Sequence, residues 1–311
     1  MKIFKPKFWH TKNSIISFFL LPLSILFQIF IILKKTFDKK NKFSISVICV
    51  GNIYLGGTGK TPLCIELSKI LEKLNKKNAI IKKFYIAHED EFKLIESKKI
   101  KLFKFRSRSR AIEEAQREGH DCVILDDGLQ DSSIVKDLNI VCFNGEQLAG
   151  NEMVLPSGPL REPLSVLKNY KIVVINGKEN TDFEKKIKFI SEDISIYYSE
   201  YLPADNLNQF EGQDLLAFAG IGNPENFFNL LKNNNLKIKK SVSFPDHYNY
   251  SLKDLKNLVK HSIENNLKLI TTEKDYFRIK HFNIPEIQYL GVRLKIKNKD
   301  QFEKKIIECL F

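Results

Sequence analysis

At 311 residues, 28% charged and 11% aromatic, the chain is long enough for two packed lobes or one large α/β domain. Of its formal charge of +13, residues 1–42 supply +8 (nine lysines against Asp38 alone). The remaining +5 argues against a broad nucleic-acid-binding face. Five cysteines, none in a C-x-x-C pair, point to a reducing cytosolic compartment without a disulfide framework or zinc site.

Between two lysine clusters, Ser14 to Leu33 is a twenty-residue stretch without a charge, interrupted by Pro22. As a helix it is just long enough to cross a hydrocarbon core. It is too long for a signal peptide and no small-residue cleavage site follows. One reading is a spanning helix, with Lys34, Lys35, Lys39, Lys40 and Lys42 holding the following domain in the cytoplasm. The other is a helix lying in or dipping into the inner leaflet, with Phe8 and Trp9 at the headgroups. Lys2, Lys5, Lys7 and Lys12 make both flanks basic, which favours the second and disfavours a buried core helix.

The apolar run Ile45 to Val50 predicts a strand, and Leu63 to Leu74 an amphipathic helix. Between them lies Gly51-Asn52-Ile53-Tyr54-Leu55-Gly56-Gly57-Thr58-Gly59-Lys60-Thr61-Pro62. Strand, glycine loop and helix in succession are the context of a phosphate-binding loop, here with Tyr54 at the usual first glycine. The glycines let N–H groups of Tyr54, Leu55, Gly56, Gly57, Thr58 and Gly59 turn toward an anion, and the helix N-terminus faces the same charge. Lys60 reaches the outer phosphates and the Thr61 hydroxyl ligates magnesium.

Ala79 to Tyr85 and Ile100 to Phe105 read as further strands, with His88-Glu89-Asp90-Glu91 a polar turn between them. Arg106, Arg108 and Arg110 open a helical stretch, Ala111 to Glu118, and by themselves read as a solvated face. Cys122-Val123-Ile124-Leu125-Asp126-Asp127 is a buried strand ending in two acids. Adjacent acids are costly to desolvate without a cation, and in phosphate-loop proteins such an acid holds magnesium; the spacing leaves open which of Asp126 and Asp127 does so. Leu155-Pro156-Ser157-Gly158-Pro159-Leu160-Arg161-Glu162-Pro163 is a stiff irregular loop. Its Arg161 either binds phosphate or pairs with Glu162. A composition shift at Ser199 to Gln213 marks a lobe boundary. The organisation predicted is a basic, apolar membrane-associated segment (1–42), a nucleotide-binding core (43–200) and a smaller carboxyl-terminal lobe (201–311). The fold class is α/β, a mostly parallel sheet of the phosphate-loop NTPase kind.

In order, Gly51 to Pro62, Asp126-Asp127-Gly128-Leu129-Gln130, Leu155 to Pro163, Phe218 to Pro224, Phe244-Pro245-Asp246-His247 and Thr271 to Asp275 resemble the tetraacyldisaccharide 4'-kinase (lipid A 4'-kinase) family of Gram-negative bacteria. The resemblance implies transfer of the ATP γ-phosphate, with magnesium, to the 4'-hydroxyl of a membrane-bound acylated glucosamine disaccharide 1-phosphate. It implies an inner-membrane enzyme of lipopolysaccharide synthesis with its catalytic domain on the cytoplasmic side. An Asp–His acid–base pair is also implied, matched here by Asp90 and His247, and substrate contacts by Arg161 and Gln130. The family's Arg-Gly-Tyr-Gly is Lys83-Phe84-Tyr85-Ile86 here, and Asp131 stands where the family has His. The rival function is a membrane-associated ATPase switch, which needs the loop and Asp126 but not His247.

Overall fold

The computed structural model describes residues 6–85, 89–204, 206–246 and 248–310. His247 and His88 lie outside the described residues. In chain order the elements begin with α1 (Ile15–Phe37), β1 (Ser46–Gly51), α2 (Lys60–Lys73), β2 (Asn78–Lys83), α3 (Glu89–Ser97), β3 (Leu102–Phe105), α4 (Arg108–Arg117), β4 (Cys122–Asp126), β5 (Leu138–Asn144) and β6 (Ile172–Asn176). There follow α5 (Thr181–Ile190), β7 (Ser195–Pro203), β8 (Asp214–Ala219), α6 (Pro224–Asn233), β9 (Lys237–Ser243), α7 (Leu252–Glu264), β10 (Lys268–Thr272), α8 (Glu273–Ile279), β11 (Ile287–Leu290), β12 (Val292–Ile296) and α9 (Lys299–Leu310).

The chain forms two compact units. One comprises residues 1–84, 100–200 and 295–311, the other 85–99 and 201–294. The first is built on an eight-stranded sheet of order β12-β7-β6-β5-β1-β4-β2-β3, parallel from β7 through β3. The strand order reverses at β1, which sits between β4 and β5; such switch points open crevices at the carboxyl edge of a sheet. Its central strands are buried on both faces, so Val47 to Val50 and Val123 to Leu125 read as unbroken apolar runs.

The second unit has a four-stranded parallel sheet, β11-β10-β8-β9. Along β8 the alternation is clean: Leu215, Ala217 and Ala219 join one apolar cluster, Leu216 and Phe218 the other. Glu89-Asp90-Glu91 is not a turn but the first turn of α3, where three carboxylates complement the helix N-terminus and Phe92 and Ile95 are buried.

Helix α1 is inverted relative to a soluble amphipathic helix. Its buried residues are Ser17 and Ser24, while Ile15, Phe19, Leu26, Phe30 and Phe37 are exposed. The two serines, two turns apart, meet a polar knot. Asn151 Nδ2 donates to Ser17 Oγ at 3.0 Å, and Ser24 Oγ donates to Val154 O at 2.9 Å and accepts the Ser157 N–H at 3.0 Å. The expectation that Trp9 lies at headgroups is corrected: its ring is buried and Nε1 donates to Pro156 O at 3.1 Å, a partner that a buried indole N–H requires. Ser24→Val should therefore lower unfolding free energy by about 1–3 kcal/mol in chemical denaturation, because it strands Ser157 and Val154 polar atoms. Phe19→Ser, on the outer face, should change it by no more than about 0.5 kcal/mol.

Candidate active site

Three sequence segments are drawn together in the first unit by backbone bonds. Asp127 N donates to Val50 O at 2.9 Å, Arg161 N to Ile53 O at 2.7 Å, and Leu55 N to Pro159 O at 2.9 Å. Tyr54 is fully buried and bridges to Leu160. Tyr54 and Leu55 thus frame the loop against the proline-rich segment, with Gly56 to Thr61 continuing into α2. Gly51 is required by close approach, since a Cβ there would lie 2.5 Å from Leu129 Cγ. Gly59 is required by conformation, capping α2 at φ 89°.

At the N-terminus of α2 the Thr61 hydroxyl donates to Asp126 Oδ2 at 2.7 Å, and both groups are buried. The Lys82 ammonium, also buried, pairs with the same carboxylate oxygen and lies 3.4 Å from Thr61 Oγ1. Asp126 Oδ1, Thr58 Oγ1 and Asn52 Oδ1 are buried without a hydrogen-bond partner among the described residues. Buried polar atoms are seldom left so, and these three belong to the loop segment and to the strand end that Thr61 bonds. A threonine hydroxyl and a carboxylate with a spare oxygen are the hard donors that magnesium takes. Among the described residues no group of three His, Cys, Asp or Glu side chains could hold a metal.

Asp127, in a left-handed turn (φ 62°), faces Lys60 at 3.8 Å and accepts from Arg161 Nη1 at 3.1 Å. Arg161 Nη1 also donates to Gln130 Oε1 at 3.1 Å, and Gln130 Nε2 donates to Asn52 O at 3.1 Å and Glu162 Oε1 at 3.2 Å. Arg161 therefore pairs with Asp127, while Glu162 pairs with Lys35 of α1. Of the arginine cluster, Arg108 is placed in the site: Nη2 donates to Asp127 O at 2.6 Å and Nη1 meets Asp131 at 3.1 Å. Asp131 is thereby bound to the neighbourhood of Asp127. Sequence patterns did not single out Lys82 or Arg108. The signal for Lys82 was a charge inside an apolar strand, meaningful only once Asp126 is known to lie beside it.

In the second unit Asp90 is buried at the start of α3. Its Oδ2 accepts from Arg278 Nε at 2.9 Å and Nη2 at 2.6 Å, and Lys274 Nζ lies 3.7 Å away. Arg278 Nη1 also reaches Asp275 at 2.7 Å and Gly220 O at 2.7 Å, while Asp275 accepts the Gly220 N–H at 2.9 Å. Glu91–Lys274 at 2.7 Å and Lys98–Glu273 at 2.6 Å complete the stitching of α3 to α8. The segments Phe218 to Pro224 and Thr271 to Asp275, far apart in sequence, are joined by these bonds around Arg278.

Burial acts to raise the pKa of Asp127, but the Lys60, Arg161 and Lys82 cations outweigh it and hold the carboxyl below its ordinary range. A depressed folded-state value stabilises the fold above the unfolded value, about 3.9, and that contribution is lost as pH falls through the folded value. Thermal unfolding from pH 7 down to 2.5 should accordingly show Asp127→Asn less stable than the parent at neutral pH, with a shallower decline below about pH 4.

Comparison with known proteins gives the family. The sequence model described as "LpxK: Tetraacyldisaccharide-1-P 4'-kinase" matches residues 16–105 and 90–310. The chain is 45% identical over 315 aligned residues to a tetraacyldisaccharide 4'-kinase of Pelagibacter ubique, covering 99% of this chain and 98% of that protein. It is 33% identical to the protein of the same name from Rickettsia typhi, over 99% of each. A crystal structure of LpxK from Aquifex aeolicus in complex with ATP superimposes with a TM-score of 0.73 at 23% identity, covering 96% of this chain and all of the other, so the fold is shared. The chain belongs to the tetraacyldisaccharide-1-P 4'-kinase family.

Proposed function

We propose that the chain transfers the γ-phosphoryl group of ATP, with magnesium, to the 4'-hydroxyl of an acylated glucosamine disaccharide 1-phosphate at the cytoplasmic face of a bacterial inner membrane. The observation that carries the reading is the Thr61–Asp126 pair at the mouth of the phosphate loop, in a chain the family model matches over residues 16–310.

The loop amides from Gly56 to Thr61, with the positive end of α2, bind the phosphate tail, and Tyr54 and Leu55 fix the loop's frame. Lys60 sets its charge against the transferring group, where most of the catalysis of phosphoryl transfer lies. Thr61 and Asp126 would hold magnesium, with Asp127 beside them; when bound, the ion neutralises charge on the phosphate oxygens. Asp127 restrains Lys60 and Arg161 until an anion displaces it, and Arg161 with Gln130 then binds phosphate on the nucleotide or on the acceptor. A sugar hydroxyl is a poor nucleophile, and Asp90 with His247 serves as the base that takes its proton. Arg278 positions the Asp90 carboxylate, with Nε and Nη2 donating to one oxygen.

Helix α1 gives the acceptor a reason to be met at a bilayer. Its apolar outer face and basic flanks suit an anionic leaflet, and drawing acyl chains out of lipid would cost about 0.8 kcal/mol per CH₂.

In mixed micelles with magnesium, γ-labelled ATP and acylated disaccharide 1-phosphate, labelled lipid is the expected product. Lys60→Ala, Asp90→Asn and His247→Ala should each lower its rate about 10²–10⁴-fold. ATP hydrolysis without labelled lipid would instead support an ATPase switch. In flotation with anionic vesicles, Phe19→Ser/Phe30→Ser should bind more weakly than the parent; equal flotation would refute the membrane role of α1.

A further inference from the structure

Lys82 has no place in the reaction described above, yet it is the most deeply embedded cation at the site. It lies on β2 after buried Ala79, Ile80 and Ile81, and is 5% exposed. The parallel register pairs Lys82 directly with Asp126 on β4. Cross-strand partners in a sheet present their side chains to one face, so the ammonium is delivered to the carboxylate by the strands and not by a flexible loop. Its Nζ lies against two oxygens, Asp126 Oδ2 and Thr61 Oγ1. These are the two donors assigned above to magnesium.

A buried carboxylate needs a compensating charge whether or not nucleotide is present. Two cations on one carboxylate in a poorly solvated site repel each other. We propose that Lys82 is a tethered counter-ion that occupies the metal position of the nucleotide-free protein. It keeps Asp126 neutralised, blocks binding of the free divalent ion, and yields only to the ion that arrives with phosphates. The phosphate tail then supplies the negative charge that accommodates the displaced ammonium. Lys82 is thus a positioning residue that enforces joint loading of metal and nucleotide. The proposal rests on the assignment of magnesium to Thr61 and Asp126.

The test is binding of Mn²⁺ to the purified full chain, read from the electron paramagnetic resonance signal of the free ion, with no turnover involved. Without nucleotide the parent should bind Mn²⁺ weakly. Lys82→Met should bind it about tenfold more tightly or better. Lys82→Gln, which keeps a donor for Asp126 and so protects the fold, should do the same. The gain should vanish in Lys82→Gln/Asp126→Asn. Unchanged Mn²⁺ affinity in Lys82→Gln would overturn the proposal, as would a gain that survives the double substitution. A second arm separates this from the underlying assignment. With a non-hydrolysable ATP analogue present, Asp126→Asn should weaken Mn²⁺ binding in either case. If it does not, the magnesium assignment itself fails, and the proposal with it.

Discussion

A charged carboxylate at the end of a fully buried strand is the constraint on which the nucleotide half depends. Asp126 cannot be carried to the sheet edge by Val123, Ile124 and Leu125 without compensation, and the fold supplies it from two neighbours: Thr61 from the helix following β1, and Lys82 from β2. Both come from elements flanking β4 or β1, so the parallel register that builds the sheet also builds the site. Asp127, one residue on, leaves the strand through a left-handed turn and collects a different pair of cations, Lys60 and Arg161. One acid is held among buried neighbours and the other between two partly exposed cations.

The second constraint is on α1, whose polar face is inward. The Ser24 hydroxyl seats the helix on the proline-rich loop and that of Ser17 on Asn151 ahead of it, leaving the branched and aromatic side chains outward. The same loop carries Glu162, which pairs with Lys35 of α1 and accepts from Gln130, and Gln130 in turn accepts from Arg161. A continuous set of polar contacts therefore runs from the apolar helix to Arg161. The stiff loop serves as the shared foundation of both.

What the sequence disclosed was local chemistry. A glycine loop between strand and helix, and an apolar strand ending in acids, each hold their signal within a dozen residues, and both sit where those patterns require. Contacts set by register or by distant segments were hidden. Lys82 reads as a charge spoiling a strand until Asp126 is its cross-strand partner. Among Arg106, Arg108 and Arg110, spacing cannot tell that Arg108 faces Asp127 and Asp131. Arg278 lies beyond the last matching segment, and only the packing of α3 on α8 gives it Asp90. Glu89-Asp90-Glu91 was misleading for a different reason: acids are common in turns, yet equally suited to a helix's first turn, and the buried Phe92 and Ile95 decide it.

The central claim is that phosphate and metal meet at Thr61 and Asp126. The direct measurement is anomalous diffraction from crystals grown with Mn²⁺ and a non-hydrolysable ATP analogue. The account predicts a manganese peak against the Thr61 hydroxyl and the Asp126 carboxylate, with the analogue's phosphates cradled by Gly56 to Thr61. Manganese bound elsewhere, or phosphates that leave the loop empty, would contradict it.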